Sequence, residues 1–201
     1  IWTDVDGVMG ADPRIVPNAF VVPEISFEEA MELSYFGAKV IHPYTMIPAV
    51  DRTIPVWIRN TLNPEAPGTR IAKDAAKSEK PITGIASIDG AALINVQGGG
   101  MVGMPGVASK VFSIMAECKA NIIMISQASS EHSICMVLRE SETERALHAL
   151  REGLSEEVRA KKIQNFELIR DLEIVSIIGD KMRGTPGISG RLFKSLGDNE
   201  I

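Results

Sequence analysis

The sequence predicts an α/β segment followed by an α+β region built on ferredoxin-like βαββαβ units. Three observations predict it. The first 71 residues carry helix and strand signals spaced by Gly- and Pro-rich loops. A small, charged stretch at 72–81, "AKDAAKSEKP", then changes the texture of the chain. Beyond it the elements read β-α-β-β-α-β, the split pattern of a ferredoxin-like unit. Part of that unit is repeated: "GGGMVGMPGVASKVFSIM" at 98–115 returns as "GDKMRGTPGISGRLFKSL" at 179–196.

In order along the chain, residues 1–24 are rich in Gly, Pro and Asp and read as a long ordered loop with a short apolar stretch, Ala19–Val22. Ser26 and Glu29 form an S-x-x-E capping box, acidic residues fill the next turn and Gly37 supplies a stop, so a helix is predicted between them. Pro43 breaks the chain again, and a short helix follows at Tyr44–Asp51. "IPVWIRN" is apolar and β-branched, a strand closed by Asn60, and "NPEAPGTR" is loop. Residues 72–81 read as a linker. "ITGIASI" and "AALINVQG" read as two strands. Pro105–Lys119 reads as a helix whose apolar face is Val107, Val111, Phe112, Ile114 and Met115. "ANIIMISQAS" and "HSICMVLRE" are two strands around a polar turn. "SETERALHALREGL" is a helix opened by a second box, Ser141 to Glu144, and "KKIQNFELI" is a fourth strand.

The repeat has a fixed offset of 81: Gly98, Met101, Gly103, Pro105 and Gly106 meet Gly179, Met182, Gly184, Pro186 and Gly187, and "LINV" before the first loop meets "IVSI". The predicted organisation is therefore a first domain at 1–71, the linker, one unit at 82–170 and the start of a second at 171–201. In an alternative division, 82–88 is a strand of the second unit.

Composition narrows the function. With 45% hydrophobic and 23% charged residues, the chain can build real cores. A net charge of −5 argues against nucleic acid and anionic membranes as partners. No apolar run approaches the roughly 18 residues of a membrane span, and no secretory signal opens the chain. Cys118 and Cys135 sit in apolar surroundings and share no ligand spacing with the three histidines, so no metal site is expected. The first residue is Ile rather than Met, and the chain is expected to be a piece of a longer protein.

A glycine loop that opens a helix presents free N–H groups to an anion. The GK[ST] of a Walker loop is missing here, and no acidic residue ends a second parallel strand as a dinucleotide fold requires. An amino-acid carboxylate suits such a loop better than a phosphate, and a glycine turn with nothing bound stays open beside it. The acidic block "WTDVDGVMGADPR" at 2–14 is not an EF-hand, because the twelfth position from Asp4 is Ile15. A DxDG aspartyl nucleophile at Asp4 and a turn held by Asx hydrogen bonds both remain open locally.

Block by block and in order, "TDVDGV…ADPR", "SFEEAMELSYFGAKVIHP", "IPVWIRNTLNPEAPGT" and the paired glycine-loop units resemble aspartokinase. The repeated units are similar to ACT domains, small βαββαβ modules that bind amino acids at subunit or domain interfaces. "GMVGMPGVASKVF" with "ISQASSE" is more like the threonine-responsive class, which includes bifunctional aspartokinase–homoserine dehydrogenases, than the lysine-sensing class. The resemblance implies the C-terminal part of an amino-acid-kinase domain followed by an ACT regulatory region. The parent enzyme would transfer a phosphoryl group from ATP, with Mg²⁺, to L-aspartate, giving 4-phospho-L-aspartate at the start of lysine, threonine, methionine and isoleucine biosynthesis.

By position, the resemblance places Thr3, Asp4, Met9, Arg14, Lys39 and Val40 at ATP. Met9 stands where the family commonly has Tyr, and Gly10 where it has a small hydroxyl residue. Met104, Gly106, Val107, Asn121, Ile122 and Gln127 fall at the amino-acid effector. No catalytic residue is assigned, because the "KFGG" block and the central glycine- and serine-rich block are not in this sequence, and the piece alone is expected to be inactive. The resemblance further implies a cytoplasmic homodimer joined through ACT domains, with threonine favoured over lysine as effector. The alternative is a non-catalytic ACT-domain amino-acid sensor.

Overall fold

The computed structural model describes residues 1–36, 40–76, 80–101, 103, 105–127 and 132–201. They divide into two compact units, one of Ile1–Ser87 with Val175–Ile201 and the other of Ile88–Ile174.

The first unit holds a four-stranded sheet. Strands β1 (Trp2–Thr3), β2 (Glu24–Ile25), β3 (Val56–Asn60) and β4 (Thr69–Ile71) lie in the order β1-β3-β4-β2. β1 runs parallel to β3, with Thr3 opposite Asn60, and β2 runs parallel to β4. β3 and β4 are antiparallel. Of these, only β3 is long enough to show an apolar pattern; β4 begins inside the stretch that reads as loop, because three residues carry no periodicity. Helix α1 (Phe27–Tyr35) begins where the capping box predicts, with both reciprocal bonds formed between Ser26 and Glu29. Helix α2 (Pro43–Asp51) starts on Pro43, and the His42 ring accepts the Tyr44 N–H at 3.3 Å. Their apolar faces close on Ile25, Phe27, Leu33, Met46, Ile58 and Ile71, all nearly fully buried.

The second sheet contains β5 (Gly84–Gln97), β6 (Ile122–Gln127), β7 (Ser133–Arg139) and β8 (Asn165–Ile178), in the order β6-β7-β5-β8. Helices α3 (Val107–Glu117), α4 (Thr143–Gly153) and α5 (Ser155–Arg159) complete the succession β-α-β-β-α-β. β7 is antiparallel to both β5 and β6. Ile94, Val96, Val111, Met115, Met136, Leu138, Leu150 and Leu154 form the core of this unit. The predicted apolar face of α3 supplies Val111 and Met115 to it, with Val107, Phe112 and Ile114 at its margin. The final helix, α6 (Ile188–Gly197), belongs to the first unit. Among the described residues, no helix is long and apolar enough to cross a membrane.

Three predicted details differ. "ITGIASI" and "AALINVQG" form one strand, not two: Gly90 takes a left-handed φ of +60° in open space, and the strand continues past it. β8 behaves alike at the repeat offset, where Asp171 has φ +55°. The second capping box does not form. A 3₁₀ turn at Glu140–Glu142 takes up Ser141, α4 begins at Thr143, and the Thr143 hydroxyl donates to the Glu140 carbonyl at 2.7 Å.

Candidate functional site

The acidic block after β1 is a folded turn. Thr3 ends β1, its carbonyl accepts the Thr61 N–H at 2.8 Å, and its hydroxyl donates to the Asp4 carboxylate at 3.1 Å. Asp4 is exposed. Asp6 accepts from the Asn60 side chain at 2.7 Å and from Asn63 at 3.2 Å, while the Asn60 side-chain carbonyl accepts the Leu62 N–H. The turn is thereby fastened to the end of β3. Thr69 fastens its other side: its hydroxyl accepts the Val8 N–H at 2.8 Å and donates to the Val22 carbonyl at 2.6 Å. Gly7 is required there, because a Cβ would stand 2.6 Å from both the Thr69 hydroxyl and the Val21 side chain. Met9 is half-buried and pairs with Val21 in an isolated bridge.

Arg14 is held by Asp12. The carboxylate accepts the Arg14 main-chain N–H at 2.9 Å and its guanidinium at 2.5–3.1 Å, leaving the Arg14 side chain 71% exposed. The turn thus presents a guanidinium aimed by the half-buried Asp12 carboxylate, a group whose planar fork suits phosphate oxygens. Val40 packs on the core of this unit. Lys39 lies outside the described residues, as does Met104 of the effector set.

The two glycine loops have the same build. In each, a 3₁₀ turn (Gly99–Met101, Asp180–Met182) is closed by the methionine N–H donating to the glycine carbonyl at 3.1 Å. Gly98 and Gly179 serve close backbone approach: a Cβ would lie 2.0 Å from the Lys162 carbonyl oxygen in one loop and 2.2 Å from that of Pro81 in the other. Gly103 and Gly106 have φ of +64° and +94°, and Gly184 and Gly187 have +83° and +85°, all facing open space. α3 and α6 then start on Gly106 and Gly187 without a side-chain cap. The repeat also reaches further back than the sequence motif, since Lys162 and Pro81 stand at the same offset.

Gly106 and Val107 stand at the start of α3, whereas Asn121 and Ile122 follow its other end. Gln127 closes β6 opposite Ile134, at the sheet end where β5 runs into the first glycine loop. Within one chain, then, the five described effector candidates fall at opposite ends of α3 and β6, about 16 Å apart along either element. α3 is braced from behind by an ion pair between Lys110 and Glu157 at 2.8 Å. The Lys110 hydrogen bond holds the Glu157 carboxyl below its ordinary value of 4.5, against the opposing effect of its partial burial.

The sequence motifs did not disclose the buried carboxylate of Glu29. Beyond its bond to the Ser26 N–H, it accepts the Thr83 hydroxyl at 2.5 Å and the Asp180 N–H at 3.0 Å. The Asp6–Asn60 pair was equally hidden. Its one sequence signal is a polar residue ending an apolar strand.

Residues 1–60 match the amino acid kinase family, and residues 94–154 match the ACT domain. Over its whole length the chain is 46% identical to the bifunctional aspartokinase/homoserine dehydrogenase 1, chloroplastic, of Arabidopsis thaliana, and it spans 23% of that relative. Its fold matches the aspartate kinase of Clostridium acetobutylicum with a TM-score of 0.86 at 29% identity, over 98% of this chain and 45% of the other. It matches E. coli aspartokinase III in complex with aspartate and ADP (R-state) with a TM-score of 0.77 at 30% identity, over 98% and 43%. The likeness to aspartokinases read from the sequence therefore holds from end to end, in both the α/β segment and the ACT unit.

Proposed function

We propose that this chain joins the closing part of an aspartate kinase domain to its ACT regulatory region, in a polypeptide that phosphorylates L-aspartate on its β-carboxylate with MgATP. The observation that carries this reading is the co-occurrence, in one chain and in this order, of an amino-acid-kinase segment and an ACT domain. The match to an aspartokinase crystallised with aspartate and ADP supports it. Residues 1–71 form the nucleotide wall, 72–81 the linker, 82–170 the first ACT unit and 171–201 the start of the second. Thr3, Asp4, Met9, Arg14, Lys39 and Val40 face ATP. Arg14 neutralises phosphate charge, and the turn held by Asp6–Asn60 and Thr69 positions it.

The effector is an amino acid whose carboxylate meets the helix start at Met104, Gly106 and Val107. Because Asn121 and Ile122 follow the far end of α3 from that helix start, the strand residues come from the ACT unit of a second copy, which makes a homodimer. Threonine is favoured over lysine, in keeping with the likeness to a bifunctional aspartokinase/homoserine dehydrogenase. The protein acts in the cytoplasm.

The test is a coupled ADP-release assay on the full-length polypeptide with L-aspartate and MgATP, with hydroxylamine trapping of the acyl phosphate. Aspartate-dependent turnover, inhibited by threonine, is expected. Amino-acid binding with no turnover would reassign the protein as a sensor.

A further inference from the structure

Glu29 uses its two carboxylate oxygens for two separate tasks. Oε2 accepts the Ser26 N–H at 3.1 Å and so closes the capping box, which is all that the start of α1 requires. Oε1 accepts the Thr83 hydroxyl at 2.5 Å and the Asp180 N–H at 3.0 Å, from residues 54 and 151 positions away. Ser26, Glu29 and Thr83 are all more than nine-tenths buried, so these bonds form largely out of water, where an unmatched partner is costly. Asp180 opens the 3₁₀ turn of the second glycine loop, and Thr83 is bound to the strand leading into that loop, its N–H donating to the Ile178 carbonyl at 2.8 Å. The loop copy at Gly98–Gly106 has glycine, Gly99, where Asp180 stands, and Gln164 where Thr83 stands.

We infer that Glu29 is the positioning residue through which the second glycine loop acts on the kinase segment: its Oε1 ties the Gly179–Met182 turn to the first turn of α1. This inference rests on the aspartokinase reading above. A carboxylate with three donors from three segments has no slack, so a displacement of the turn must either carry α1 with it or break a bond. Effector occupancy of the ACT region is thereby felt at α1 and at the chain that follows it toward Val40, which is the coupling between two sites that allosteric inhibition requires.

The test uses the full-length enzyme with threonine as probe. In Glu29→Gln a single carbonyl oxygen cannot serve both the Ser26 and the Asp180 N–H groups. Thr83→Val deletes one donor to Oε1 and keeps the side-chain shape. Ser26→Ala weakens the same helix cap while leaving Oε1 and its partners alone, and serves as the control for simple loss of structure. For Glu29→Gln and Thr83→Val, the threonine concentration giving half inhibition is expected to rise about tenfold or more, the effect that goes with one lost bond to a charged group. Threonine binding by calorimetry and kcat without effector should be retained. In Glu29→Gln the Asp180 amide should also exchange hydrogen faster. Ser26→Ala should keep native inhibition. Native inhibition in Glu29→Gln, or equal desensitisation in Ser26→Ala, would overturn the inference alone. A native enzyme that threonine does not inhibit would overturn the functional reading and this inference with it.

Discussion

Asn60, the last residue of β3, donates its side-chain N–H to the Asp6 carboxylate at 2.7 Å and so fixes the acidic turn to the sheet. Asn60 is buried, and its carbonyl also holds the Leu62 N–H at 2.8 Å. Asn60→Ala removes both bonds, and the expected loss of stability is about 1–3 kcal/mol, measured by denaturant unfolding. Asn60→Asp sets a second carboxylate against Asp6. Its loss should exceed that of Asn60→Ala, because like charges then face each other where a hydrogen bond stood. A loss no larger than that of Asn60→Ala would argue that the Asp6 bond contributes little.

The glycines of the repeated loops should separate into two groups. Gly98→Ala and Gly179→Ala place a methyl group 2.0 and 2.2 Å from a backbone carbonyl oxygen that no rotamer change can move. Each should cost about 3 kcal/mol or more. Gly106→Ala and Gly187→Ala meet open space and are strained only by φ of +94° and +85°, a cost of about 1–2 kcal/mol each. Unfolding midpoints of the four variants check the order. Equal losses in all four would contradict the close approach at Gly98 and Gly179.

Both the Ser26–Glu29 box and the 81-residue offset are visible in the sequence, because each is a short pattern of residue types at fixed spacing. The two-residue strands β1 and β2 and the three-residue β4 have too few positions to show alternation, so only the assembled sheet reveals them. Gly90 reads as a break between strands, since a glycine inside a strand pattern commonly marks one. It is a left-handed kink within one continuous strand. The Ser141–Glu144 spacing is a valid box with no box formed, because a 3₁₀ turn occupies the place where the cap would sit. Glu29 shows the remaining limit. Its role at the cap is local and legible, whereas its bonds to Thr83 and Asp180 depend on tertiary approach over 54 and 151 positions.

The ion pair behind α3 gives a pH signature. Lys110 holds the Glu157 carboxyl below 4.5 in the folded state, so the unfolded chain binds its proton more readily. The pair's contribution is therefore fully present above the unfolded value and is lost as pH falls through the lower, folded one. Glu157→Gln should be less stable than the native chain at pH 7, and the difference should shrink as pH drops from about 5 to 3. Urea midpoints at several pH values check this. A constant difference would assign the loss to packing rather than to charge.

Arg14 tests the nucleotide wall directly. Its guanidinium lies against Asp12, which accepts both the side chain and the Arg14 main-chain N–H, so the loop that carries the charge also aims it. A planar fork can meet two phosphate oxygens at once, and an ammonium cannot. In the full-length enzyme, Arg14→Ala should raise the KM for ATP about tenfold or more, the scale of one charge-assisted contact. Arg14→Lys should recover only part of that loss, because the charge returns without the fork. Asp12→Asn should raise KM by a smaller factor, about two- to threefold, because a neutral amide aims the guanidinium less firmly than a carboxylate. The KM for L-aspartate should stay near native in all three. If Arg14→Ala leaves the KM for ATP unchanged, the positive charge on this turn has no part in binding the phosphates, and its partnership with Asp12 is structural alone.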